Sequence, residues 1–149
     1  MGNRSILADP RNSKIKDKIN GIIKYREKYR PFAPAVLIEE ASKFFEVSKG
    51  FECNYMEKVV QIKKEFQEKL PAVTHVDGSG RIQTVSKNHN PFFYDLISEF
   101  SKITNFPILL NTSFNVNNEP IVCSIDDALN TFFNSGLKRL LINNFLISK

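Results

Sequence analysis

Cysteine is scarce. Cys53 and Cys123 stand about 70 positions apart without CxxC spacing, which excludes a disulfide framework or a cysteine-built zinc site and leaves both as buried or incidental thiols. Long apolar runs are missing too. No stretch approaches the roughly 18 to 20 residues of a membrane-crossing helix. Met1-Gly2-Asn3-Arg4 does not open like a signal peptide, so a cytoplasmic protein without a membrane partner is expected. There is no HExxH pair, no Ser/His/Asp set and no glycine-rich P-loop, which removes support for protease, hydrolase and Walker-type chemistry. Of the two histidines, His75 reads as a structural strand residue and His89 as a loop residue, and no metal site is built from them. Internal repeats, low-complexity stretches and linkers are also absent.

What is present is an ordinary globular composition. The 149 residues suit one domain, and 42% hydrophobic with 25% charged residues is the balance of a chain that folds in water without staples. The net charge of +5 suits an anionic ligand. Much of it lies between residues 11 and 30, where Arg11, Lys14, Lys16, Lys18, Lys24, Arg26, Lys28 and Arg30 are set against Asp17 and Glu27.

Residues 1–11 read as an extended lead-in. Asn12 or Ser13 can cap a helix with Ile15, Ile19, Ile22 and Ile23 on its apolar stripe, turning Lys14, Lys16, Lys18 and Lys28 to solvent. Pro31 and Pro34 should end that helix, and Lys24, Arg26 and Arg30 cluster where it runs out. A buried strand over 35–38, a short helix over 39–46, a loop over 47–54, an edge strand over 55–62 and a charged surface run over 63–69 follow.

Residues 71–76 and 81–85 around Asp77-Gly78-Ser79-Gly80 carry the strongest hairpin signal. Period-two alternation puts Arg81, Gln83 and Val85 on one face, either a solvated face or a shared ligand contact. Phe92, Phe93, Leu96, Ile97 and Phe100 mark a helix over 91–104, started by Pro91, with its aromatic stripe in the core. A strand over 107–110 runs into Asn111-Thr112-Ser113-Phe114-Asn115. Ser124 and Asp127 have capping-box spacing for a helix through Phe133 that Gly136 ends, and 140–142 makes a last strand. The interleaving predicts an α/β (mixed α+β) fold, a twisted mixed sheet with flanking helices.

Three separated segments offer groups for an anion: Lys24, Arg26 and Arg30; Arg81 and Gln83; and Asn111, Thr112, Ser113 and Asn115. Arginine grips phosphate bidentately, while Ser, Thr and Asn at a strand end supply neutral hydrogen bonds. Such a set suits phosphoryl or acyl-phosphate chemistry, where positioning and charge neutralisation do most of the catalysis.

The runs GNRSILADPR from Gly2, RPFAP from Arg30, PAVTHVDGSGRIQTV from Pro71, and LLNTSFN followed by EPIVC resemble the carboxy-terminal part of the nodulation and antibiotic O-carbamoyltransferases. The resemblance covers nearly the whole chain. It implies a YrdC-like α/β domain over 12–149 that binds ATP, with Mg²⁺, and carbamoyl phosphate, and forms carbamoyl-adenylate. Residues 1–11 would be a lead-in from an amino-terminal, actin-like, iron-holding domain that transfers the carbamoyl group to a hydroxyl.

It further implies that Lys24, Arg30 and Arg81 neutralise phosphate and that Asn111 and Ser113 orient the substrate or adenylate, with Arg26, Gln83, Thr112 and Asn115 as secondary contacts. An amino-terminal domain in cis or trans is the expected partner, a homodimer is an option, and nucleic acid is not expected. The competing reading is a non-catalytic nucleotide- or RNA-binding YrdC-like module, whose RNA binding would weaken steeply with salt.

The chain departs from the family pattern at Gly80, where alanine is common, at Cys53-Asn54, in place of Ser-Pro, and at Asn118, where glycine is usual and asparagine can also turn left-handed. The motif is also cut ahead of Gly2. A split-gene product, truncated copy or cloned domain is therefore expected, capable at most of the activation half-reaction without its partner. An exposed apolar patch would mark the contact with that partner.

Overall fold

The computed structural model describes residues 2–25 and 31–149, except for the side chain of Ile22. Its centre is a five-stranded mixed sheet in the order β1-β5-β2-β4-β3, built from β1 (Ser5–Ala8), β2 (Ala33–Leu37), β3 (Lys58–Gln61), β4 (Ser79–Val85) and β5 (Ile108–Ser113). Only β2 and β4 pair in parallel; the other neighbours are antiparallel. The expected class, a mixed α/β fold with flanking helices, is what forms.

Each face of the sheet carries a core. The larger joins Ile19 and Ile23 to Val36, Phe44, Ile82, Ile108, Leu110 and Phe132. The smaller lies under helix α4 (Pro91–Thr104), whose Phe93 and Ile97 pack on Ala35, Leu37, Val85 and Leu109. Period-two alternation in β2 and β5 sends successive apolar side chains into opposite cores.

Local signals set several boundaries. Asn12 caps α1 (Ser13–Ile19), its side chain accepting from the Lys14 amide. Pro91 stands in the first turn of α4 and Asn90 caps it, while Ser124 and Asp127 complete a reciprocal capping box on α5 (Ile125–Phe133). Short helices α2 (Ala41–Phe44) and α3 (Lys64–Gln67) fill the connections on either side of β3.

Four expectations need correction. The lead-in is a sheet strand: Ser5–Ala8 pairs with β5, register Ser5 opposite Ser113. The first helix does not run to Pro31, because it widens into a π-helical turn, Asn20–Lys24, and closes at Tyr25 with φ 45°; Lys28 lies outside the described residues.

The hairpin over 71–85 does not form. Thr74 Oγ1 donates to the Leu70 carbonyl at 2.8 Å, and the Asp77 carboxylate accepts from the Ser79 amide at 3.0 Å, so local side-chain bonds fold 71–78 into turns. β4 pairs instead with β3 and β2. The two-residue hairpin lies at Asn143-Asn144, between β6 (Arg139–Ile142) and β7 (Phe145–Ser148), with Asn143 at φ 51°.

Finally, the apolar stripe of α4 is only partly core. Phe92, Leu96 and Ile103 face outward with 63%, 37% and 85% of their surface exposed.

Two family departures find physical accommodation. Cys53 is buried, and its Sγ approaches the Ile82 carbonyl at 3.2 Å, while Cys123 is exposed. Asn118 sits at φ 63°, where its side chain tolerates the left-handed region better than other non-glycine residues. Asn118→Ala should lower stability by about 1 kcal/mol, whereas Asn118→Gly should be close to neutral. Urea unfolding of the two variants checks this, and an alanine variant as stable as the parent would refute it.

Candidate functional site

The registers of three strands create a polar field on the α4 side of the sheet. Ala33 of β2 lies opposite Asn111 of β5, and Ala35 lies opposite both Leu109 of β5 and Gln83 of β4. Arg81 and Gln83 therefore share a face with Asn111 and Ser113, about two strand spacings, or roughly 10 Å, across the sheet. The small Ala33 and Ala35 between them leave room for Asn111 Nδ2 to donate to Gln83 Oε1 at 2.8 Å, with both residues buried.

Lys24 meets the end of β5. Its ammonium donates to the carbonyls of Ser113 at 2.7 Å and Asn115 at 2.9 Å, and to Asn115 Oδ1 at 2.5 Å, with Ser113 Oγ at 3.2 Å. Ser113 Oγ donates to the same Asn115 oxygen at 2.7 Å, and Asn115 Nδ2 reaches the Glu119 carbonyl at 2.7 Å. The π-helical turn aims Lys24 inward, and only 4% of the residue is exposed. π-Turns of this kind often accompany functional positions.

Arg81 behaves differently. It is exposed, and its guanidinium makes no hydrogen bond or ion pair with a described residue. His75, held to Ser79 Oγ at 3.0 Å, is depressed below the usual imidazole range, first by burial and then by Arg81 and Lys16, against the pull of Asp77. Asp77 is itself held low by its hydrogen bonds from Ser79. This end of the sheet thus gathers cations, the Asp77 carboxylate and neutral hydrogen-bonding groups.

The structure brings Lys24, Ser113 and Asn115 into one cluster and pairs Gln83 with Asn111, while Arg81 stands on their face in the open. Thr112 falls on the opposite face, with Ile6 opposite it in β1. Arg26 and Arg30 lie outside the described residues. No carboxylate or imidazole among the described residues hydrogen-bonds Ser113, so the arrangement can orient and neutralise a ligand but supplies no general base for a serine nucleophile.

The sequence reading missed the work of the first motif. Arg4 Nη1 donates to the Val122 carbonyl at 2.9 Å, Asp9 and Arg11 form a bidentate pair, and a Cβ on Gly2 would meet the Phe93 ring at 2.5 Å. That segment braces β1, the EPIVC run and α4.

The fold is thus a mixed α/β domain in which a buried lysine meets a half-buried serine and asparagine, with an open arginine at the same end of the sheet. The chain belongs to the carbamoyltransferase C-terminus family, whose pattern matches residues 1–149. It is 51% identical over 150 residues to nodulation protein NolO of Bradyrhizobium diazoefficiens, covering all of this chain and 27% of that protein. It is 52% identical over 150 residues to nodulation protein NolNO of Sinorhizobium fredii, covering all of this chain and 22% of that protein. An uncharacterized protein of Methanocaldococcus jannaschii, MJ1058, is 41% identical over 149 residues, with all of this chain and 24% of that protein covered. The chain thus spans about a quarter of the length of these relatives.

Proposed function

We propose that this chain is the activating domain of an O-carbamoyltransferase. It binds ATP and carbamoyl phosphate, supports formation of carbamoyl-adenylate, and works with an amino-terminal domain that passes the carbamoyl group to a hydroxyl. The observation carrying this reading is the convergence of Lys24 on Ser113 and Asn115 across about 90 residues of sequence. A carbamoyl group has both donors and acceptors, which the Asn115 carboxamide and Ser113 hydroxyl complement.

Arg81, whose guanidinium is open, makes the first phosphate contact. Lys24 adds its charge as phosphate oxygens replace the Ser113 and Asn115 acceptors, and Arg30 and Arg26 add theirs from the segment leading into β2. The buried Gln83–Asn111 pair holds the row in place. No group of three His, Cys, Asp or Glu converges among the described residues, so Mg²⁺ would arrive held chiefly by the nucleotide phosphates. The outward Phe92, Leu96 and Ile103 stripe supports a packed partner domain.

Calorimetric titration with ATP plus Mg²⁺ and with carbamoyl phosphate tests the reading. Saturable binding is expected, weakened about tenfold or more in Arg81→Ala and in Ser113→Ala, because each variant removes a charge-assisted hydrogen bond. Equal affinities in the parent and both variants would overturn it.

A further inference from the structure

A cleft of about 400 Å³ lies between the 116–123 segment and α5 and contains none of Arg81, Gln83, Asn111 or Ser113. Asn130 of α5 and Asn134, which caps the end of that helix, line it. The Asn134 amide donates to the Asn130 carbonyl at 3.0 Å, which sets the two residues one turn apart at the end of the helix. Both are exposed, and neither side chain hydrogen-bonds a described residue. A pair of open carboxamides offers donors and acceptors in a plane, which matches the edge of a heterocycle.

The remaining walls sharpen the match. Tyr25, 60% exposed, and Ile121, 41% exposed, present flat and apolar surface to the cleft. The Tyr25 backbone is held in place, since its carbonyl accepts from Asn117 Nδ2 at 3.3 Å. The carboxylates of Glu119 and Asp127 border the same space and repel a phosphate from it. A neutral planar group is therefore favoured inside, with any attached anion outside.

The cationic cluster adjoins this cleft. Tyr25 directly follows Lys24, and the Asn115 carboxamide accepts from Lys24 on one side while donating to the Glu119 carbonyl on the other. One side-chain amide thus separates the cationic cluster from the cleft wall. We propose that this cleft binds the nucleobase of the nucleotide whose phosphates lie against Lys24 and Ser113, an inference that rests on the ATP reading above. Asn130 and Asn134 recognise the edge of the base, and Tyr25 stacks on its face.

The test titrates the full chain and its Asn130→Ala/Asn134→Ala variant with ATP and with inorganic tripolyphosphate, Mg²⁺ being present in both. Alanine is the better helix former, so the variant keeps α5. ATP affinity should fall about tenfold or more, with tripolyphosphate affinity unchanged. Unchanged ATP affinity in the variant, or an equal loss for both ligands, would overturn the cleft assignment and leave the ATP reading standing. Failure of the parent chain to bind either ligand would overturn both.

Discussion

Lys24→Met should lower the unfolding free energy by about 3 kcal/mol, and Tm by roughly 6 to 12 °C for a domain of this size. Methionine keeps most of the volume and length of the stem but removes every donor. The carbonyls of Ser113 and Asn115 would then face an apolar group, while the Asn115 side-chain oxygen keeps the Ser113 hydroxyl as its donor. Each stranded acceptor costs about 1 to 3 kcal/mol, and part of that sum is offset because no charge need then be buried. Chemical denaturation measures the result. A loss below about 1 kcal/mol would mean that water replaces the ammonium and that the cluster is not structural. A large loss accompanied by weaker ATP binding would show that one cation both secures the end of β5 and serves the ligand.

Asn111→Leu should cost about 2 to 3 kcal/mol, chiefly by leaving the buried Gln83 oxygen without its donor. Gln83→Met should cost a similar amount for the reciprocal reason. The double variant should recover at least about 1 kcal/mol relative to the sum of the singles, since two apolar side chains can fill the space over Ala33 and Ala35 without an orphaned group. Stability and function separate here. If Asn111 orients the substrate, the double variant regains stability and still binds carbamoyl phosphate poorly. Simple additivity of the two losses would contradict a coupled pair.

Several features were legible because they are decided within a few residues. Pro91 and Asn90 start α4, the Ser124–Asp127 box starts α5, and Asn118 adopts the left-handed conformation expected of it. The family resemblance was also legible, since it rests on long motifs in order, and the family match over residues 1–149 agrees with it. The hairpin was misread for a physical reason. Asp77-Gly78 is a strong turn signal, but the residues before it fold back through Thr74 and His75, and the neighbouring position beside β4 goes to β3. The outward side of α4 was misread because helical periodicity identifies an apolar stripe without saying which part of it meets the sheet.

The sequence by itself determined the local conformations and the chemistry on offer: the caps, the turn residues, the alternation along β4, and a supply of Lys, Arg, Ser and Asn without a nucleophile–base set. Only the tertiary structure decided where these groups meet. The order β1-β5-β2-β4-β3 places Asn111 near Gln83, the π-helical turn buries Lys24 against Ser113 and Asn115, and the same strand alternation sends Thr112 to the far face. The physical reason is range. A cap or a left-handed turn is settled by bonds spanning two to four residues, whereas strand order and side-chain convergence depend on loop closure and burial summed over the whole core.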